Sequence, residues 1–189
     1  MRKQFYEILN QLVEETTDIE QSNKEIIFIA KKCVDCLLNG NKIISHGYNK
    51  TNIVSQYFAN NMINSFKIKR TSLPCINLTL NEGDLNLEGD SLVYSIKLSL
   101  IAKPEDLLII FSLDMKEPYL EKLLASAKKR SIKSIIISSK QEKFSKDYDV
   151  SYLFLENISP YILVQNFISI VSILSSLIEN SIFLNPNIV

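Results

Sequence analysis

Two kinds of segment alternate along the chain: short apolar runs, and longer stretches in which apolar residues recur every three or four positions. The runs KIISHG (42–47), CINLTL (75–80), DLLIIFS (106–112), KSIIISS (133–139) and YLFLE (152–156) predict β-strands, and the middle ones are apolar throughout rather than alternating. Strands separated by helices require crossovers, which place helices on both faces of a parallel sheet and so bury both faces of its central strands. The pattern therefore predicts an α/β fold, a three-layer α/β/α sandwich around a five-stranded parallel sheet. Two helices, Arg2 to about Thr17 and about Ser22 to Leu38, precede the first strand, with Asn39-Gly40-Asn41 as the stop signal. No repeat, low-complexity linker or second domain interrupts the pattern, so residues 1–189 read as one domain with a large core.

The last helical segment, SPYILVQNFISIVSILSSLIENSIF, carries an expectation about assembly. Ser159 can cap it and Pro160 can take its first turn, while Gln165, Ser169, Ser172, Ser176 and Glu179 fall on one narrow polar stripe. Most of its circumference is apolar, more than an outer helix of a three-layer monomer needs, so other subunits are expected to cover it. A membrane span is the weaker alternative, because the run contains Gln, Asn and serines.

Charge narrows the partners. Lys+Arg and Asp+Glu both total 21, so no net field points to nucleic acid or to an anionic membrane. The first residues lack the apolar core and cleavage site of a signal peptide, which suggests a cytoplasmic protein. Cys33, Cys36 and Cys75 form an odd set suited to free thiols; Cys33 and Cys36 have zinc or redox spacing but lie at helical core positions, and with one histidine and no second CxxC the pair reads as core packing. Neither a metal nor a cofactor is expected. Asp114, Lys116 and Glu117 read as a solvated turn before Pro118, which opens the next helix; Lys67, Lys69 and Arg70 read as a solvated helix end, and Lys128, Lys129 and Arg130 suit a helix C-terminus.

Ligands of open α/β sheets bind beyond the carboxyl ends of the strands, so the residues after KIIS and DLLIIFS are the candidate site. Gripping a phosphate there takes backbone N–H groups, small residues, hydroxyls and a helix N-terminus. SHGYNKTNIVSQYFA (45–59) has the position for this but a single glycine.

In LLNGNKIISHG, QYFANNMINSFKIKRTSLPCINL, VYSIKLSLIAKPEDLLIIFS and LIENSIF, the chain resembles the SIS-domain proteins of the phosphoheptose isomerase and DnaA initiator-associating (DiaA) group, the DiaA branch most of all. The resemblance spans nearly the whole chain and implies a flavodoxin-like sheet. The family's first phosphate loop looks like CGNGxS; the matching positions here are His46 to Thr51, of which Gly47 and, conservatively, Thr51 remain. Its second loop looks like STSGNS or STRGNS, where this chain keeps Ser112 and continues Leu113, Asp114, Met115, Lys116, Glu117. Lost hydroxyls and added carboxylates each disfavour a phosphate dianion by about 1 kcal/mol or more, so sugar-phosphate binding is doubtful and Gly47, Thr51 and Ser112 read as a vestigial phosphate loop.

The resemblance also implies the catalytic positions. Isomerases of the group place a glutamate in the helix after the first loop and a histidine in the last helix, and the matching residues here are Asn61 and Ser172. Neither can shuttle a proton unaided near neutral pH. His46, at the end of the first strand, reads as a hydrogen-bonded structural residue. Ile182 and Phe183 match the apolar pair with which the DiaA branch binds the initiator, and they are expected near an exposed terminus. The resulting expectation is a non-catalytic homotetramer that binds DnaA protein and promotes assembly of the initiation complex, without contacting nucleic acid or membrane. The alternative is a divergent phosphoheptose isomerase, converting sedoheptulose 7-phosphate to glycero-manno-heptose 7-phosphate.

Overall fold

The computed structural model describes residues 1–79, 90–113, 118–139, 144, 148–155 and 162–184. Strands β1 (Ile43–Gly47), β2 (Cys75–Asn77), β3 (Leu107–Ser112), β4 (Lys133–Ser138) and β5 (Val150–Phe154) form one sheet in the order β2-β1-β3-β4-β5. Every neighbouring pair is parallel, with Ile43 opposite both Cys75 and Leu107, Leu107 opposite Lys133, and Ser134 opposite Val150. This is the flavodoxin-like order, whose direction reverses between β1 and β3. β1 and β3 are buried along their whole length, which is why their sequences read as continuous apolar runs. β2 and β5 are edge strands, and both are displaced from the sequence expectation: β2 ends at Asn77 and β5 runs from Val150.

Helix α1 (Arg2–Thr17) leads through a 3₁₀ turn, Asp18–Ser22, into α2 (Asn23–Leu38); α3 (Asn52–Ile63), α4 (Asp90–Ile101), α5 (Pro118–Lys129) and α6 (Leu163–Glu179) follow. α2 stops where Gly40, at φ 78°, takes the left-handed conformation and its N–H returns to Leu37 O. Pro118 takes the first position of α5, as its missing N–H favours. The start of α6 differs from expectation, since the helix begins at Leu163; Ser159 and Pro160 lie outside the described residues.

The helices make two layers. α2, α3 and α6 bury Ile29, Val34, Phe58, Met62, Phe167 and Leu174 against one face of the sheet, and Cys33, Cys36 and Cys75 lie in this core. Burial pushes all three thiols up, Cys36 to about 11 and Cys75 to about 12, so they are protonated, free and serve as packing. α4 and α5 bury Tyr94, Leu98, Leu120, Leu123 and Ala127 on the other face. The stretch Leu163–Leu184 is long and apolar enough to cross a membrane by length and composition, yet here Phe167, Ile170, Val171, Leu174 and Ile178 pack into the core. α1 is different. Phe5, Ile8 and Val13 are each more than half exposed, so much of its apolar stripe stays open among the described residues.

Candidate functional site

The carboxyl end of β1 is built from a tight turn. A Cβ on Gly47 would lie 2.2 Å from Thr51 O, so only glycine lets the chain fold back into α3 here. Asn49 adopts φ 52°, and Thr51 closes the turn, its N–H and Oγ1 both donating to Tyr48 O at 3.1 and 2.9 Å. Thr51 is buried, and its hydroxyl is spent on the loop rather than offered to a ligand. Ser45 and Ser55 behave alike: Ser45 Oγ donates to Ser55 O and Ser55 Oγ to Asn52 O.

His46 sits on the opposite side of β1, completely buried. Its Nδ1 bonds Leu78 O at 2.9 Å, and its ring meets Tyr94 and Tyr119 edge-on at centroid distances of 4.4 and 5.3 Å. Tyr48 closes over the same pair, 6.2 Å from Tyr94 and 5.0 Å from Tyr119. Burial lowers the His46 pKa to about 4, only partly opposed by the Leu78 hydrogen bond, so the ring is neutral at physiological pH. With Nδ1–H as donor, Nε2 has no hydrogen-bond partner among the described residues. Among the described residues, no carboxylate orients or charges this neutral imidazole. The structural reading of His46 holds, while the tyrosine cluster was not legible in the sequence because its rings come from the β1 turn and two separate helices.

Ser112 ends β3 fully buried, and Leu113 after it packs against the core. Asp114, Met115, Lys116 and Glu117 lie outside the described residues. Asn61 and Ser172 both face the α3–α6 contact. Asn61 Nδ2 donates to Ser175 Oγ at 3.2 Å; Ser172 Oγ donates to Ile168 O at 3.0 Å and lies 3.4 Å from Tyr57 OH. The Asn61–Ser175 and Tyr57–Ser172 contacts join the two helices, the Ser172–Ile168 bond lies within α6, and none of these partners is a carboxylate or an imidazole.

Where α3 and α6 end, the structure overturns two expectations. Arg70 is no solvated residue: its side chain and that of Glu179 are each 1% exposed and meet at 2.7 Å. Arg70 Nη1 and Nη2 also donate to Met62 O and Asn61 O, capping the last turn of α3, while Phe66 N–H and Lys67 N–H donate to the Glu179 carboxylate at 2.6 and 2.8 Å. Burial alone raises the Glu179 pKa, but the backbone donors and Arg70 outweigh it and the carboxyl lies below its usual range. Glu179 thus leaves the polar stripe proposed for α6 and turns inward. A signal was present, since Glu179 is the one charged residue in 159–183, and a lone charge in an apolar helix calls for a partner. Lys67 and Lys69 are exposed, as are Lys128, Lys129 and Arg130.

Ile182 and Phe183 lie beside this ion pair. They lie in a π-helical turn, Asn180–Leu184, and pack partly buried against the core, with Arg70 5.6 Å from the Phe183 ring centre. Their apolar surface is therefore spent partly inside the protein. The residue that projects is Leu184, 55% exposed and missed by the sequence reading.

A family model described as "SIS domain" matches residues 4–139. A phosphoheptose isomerase from Shewanella loihica is 26% identical over 115 residues, 59% of this chain and 58% of that protein. The DnaA initiator-associating protein DiaA of Photorhabdus laumondii is 34% identical over 84 residues, 42% of each chain. The chain thus aligns with under two thirds of the length of these relatives. In three dimensions it superposes on a phosphoheptose isomerase from Francisella tularensis with a TM-score of 0.79 and 19% identity, covering 94% of this chain and 98% of the other. Sheet order, flanking helices and family match agree, and the chain belongs to the SIS-domain family.

Proposed function

We propose that this protein is a non-catalytic SIS domain, one unit over residues 1–189, that acts as a DiaA-like scaffold for the replication initiator DnaA in the cytoplasm. The observation that carries the reading is the use made of Asn61 and Ser172. At the positions matched to the isomerases' acid and base, Asn61 spends its amide on Ser175 across the α3–α6 contact and Ser172 spends its hydroxyl on Ile168 O within α6. Proton transfer between adjacent carbons of a sugar phosphate needs a titratable pair, and no such pair stands there. The self-satisfied turn at Thr51 and the sealed His46 point the same way.

Assembly as a homotetramer is part of the proposal. Exposed Phe5, Ile8 and Val13 of α1, Ile27 and Phe28 of α2 and Ile173 of α6 leave an apolar surface that a second copy would cover. A tetramer offers four equivalent C-terminal ends, and linked weak contacts reach high avidity. Ile182, Phe183 and exposed Leu184 would form the DnaA-facing end.

The isomerase reading keeps some support: the Shewanella isomerase aligns over more of the chain than DiaA does. One set of measurements separates them. Bead-bound protein is expected to retain the organism's own DnaA, to scatter light as four chains, and to leave sedoheptulose 7-phosphate unconverted. Leu184→Glu, at an exposed position, should weaken DnaA retention at least tenfold with no change in mass. Turnover near 1 per second, an ordinary enzymatic rate, or DnaA retention unaffected by Leu184→Glu, overturns the scaffold reading.

A further inference from the structure

The segment that leaves α3 is shaped to hold an anion. Ser65 takes the left-handed conformation, at φ 48°. The N–H groups of Phe66, Lys67 and Ile68 then point at one carboxylate, at 2.6, 2.8 and 3.4 Å. Successive backbone N–H groups in such a turn form a concavity that suits a negative charge. Arg70 adds a cation from the same segment, its Nε donating to Glu179 Oε1 at 2.7 Å. The anion that fills the concavity is the chain's own, the carboxylate of the last residue of α6.

The guanidinium is fixed by more than Glu179. Nη1 donates to Met62 O and Thr71 O at 2.8 and 2.9 Å, and Nη2 to Asn61 O at 2.6 Å. Its place is therefore set by α3 and by α6 together, and the Phe183 ring lies against it. Phe183 belongs to the π-helical turn Asn180–Leu184. Such turns are rare, and they occur mostly as single turns at functional sites.

We infer that Arg70 and Glu179 are positioning residues for the C-terminal contact end: their clasp locks the turn Asn180–Leu184, so that Phe183 is held in and Leu184 is presented outward. What that end contacts rests on the scaffold reading; the lock itself does not. A buried ion pair gives little net stability over apolar residues of the same volume, and what this one supplies is a fixed direction. Apart from the clasp, the turn is held by the partial burial of Ile182 and Phe183, while Leu184 is 55% exposed. An apolar residue presented on a locked turn binds without first losing freedom, which strengthens a weak contact.

The test uses a nitroxide carried by the Leu184→Cys variant of the full chain; Cys33, Cys36 and Cys75 are buried and do not compete for the label. In the otherwise native protein its spectrum should show one slow component. Glu179→Gln removes the charge, and Arg70→Lys keeps a charge but loses the fork that reaches Asn61 O and Met62 O. Each should make a fast component dominant. Leu123→Ala opens a cavity in the opposite layer and is the control for lost stability alone, so it should leave the label slow. In the unlabelled chain, Glu179→Gln and Arg70→Lys should each weaken DnaA retention at least tenfold at unchanged scattering mass. Combining either with Leu184→Glu should add no more than about twofold to the effect of Leu184→Glu alone, because the same contact is lost once. Should Glu179→Gln fail to fold, Arg70→Lys carries both readouts. A label that stays slow in the clasp variants, or that Leu123→Ala frees equally, overturns the inference. So does retention lowered no further than by Leu123→Ala, or full multiplication of effects in the double variants. If the native chain retains no DnaA, the scaffold reading fails, and the label alone decides the lock.

Discussion

Two buried ionisable groups of this protein are handled in opposite ways. His46, at the carboxyl end of β1, has one carbonyl partner and two tyrosine rings, and burial keeps it neutral. Glu179, at the end of α6, is buried to a similar extent but stays charged, because Arg70 and two backbone N–H groups answer it. An interior tolerates a charge only where hydrogen bonds replace water, and elsewhere it neutralises the group. The first region lies at the carboxyl end of β1; the second ties the end of α3 to the end of α6.

Breaking the second region should cost most. Glu179→Ala strands the Arg70 guanidinium and two backbone donors, a loss of about 3–5 kcal/mol for an uncompensated buried charge, measurable as a drop in the urea midpoint at unchanged slope. Gly47→Ala, which drives a methyl against Thr51 O, should cost about 2–3 kcal/mol in the same measurement. A cost below 0.5 kcal/mol would mean that the turn relaxes freely.

Acid separates the two regions. Because the folded His46 pKa, about 4, lies below its ordinary 6.5, the unfolded chain binds the proton first and stability falls as pH drops through that window. The loss between pH 7 and pH 5 should be about 2 kcal/mol, and His46→Gln should flatten that slope. Glu179 acts in a lower window: its carboxyl is depressed, so its contribution is complete above the ordinary carboxylate range and is lost only as pH falls through the folded value. A slope between pH 7 and 5 that survives His46→Gln would contradict the assignment. The smallest effect belongs to the turn hydroxyl. Thr51→Val removes one hydrogen bond to Tyr48 O and should cost about 1 kcal/mol, with no change in response to sugar phosphates, which are not expected to raise the melting temperature of either protein.

The sequence alone settled the frame. Continuous apolar runs such as IISHG and LLIIFS can be buried on both faces only in a parallel sheet, and the helical spacing between them supplies the covering layers. Asn61 and Ser172 could be recognised as unable to titrate from their side chains alone, and Gly47 as the pivot of a turn. Tertiary structure decided the environments, because these depend on groups far apart in the chain. Burial beneath the tyrosines of α4 and α5 neutralises His46 against the pull of the Leu78 hydrogen bond; Arg70, 109 residues from Glu179, turns that carboxylate inward. The same contact draws Phe183 over the guanidinium and leaves Leu184 as the exposed residue. Periodicity reports which positions are apolar, but whether a polar residue on a helix meets water or an opposite charge is fixed only when another segment arrives beside it.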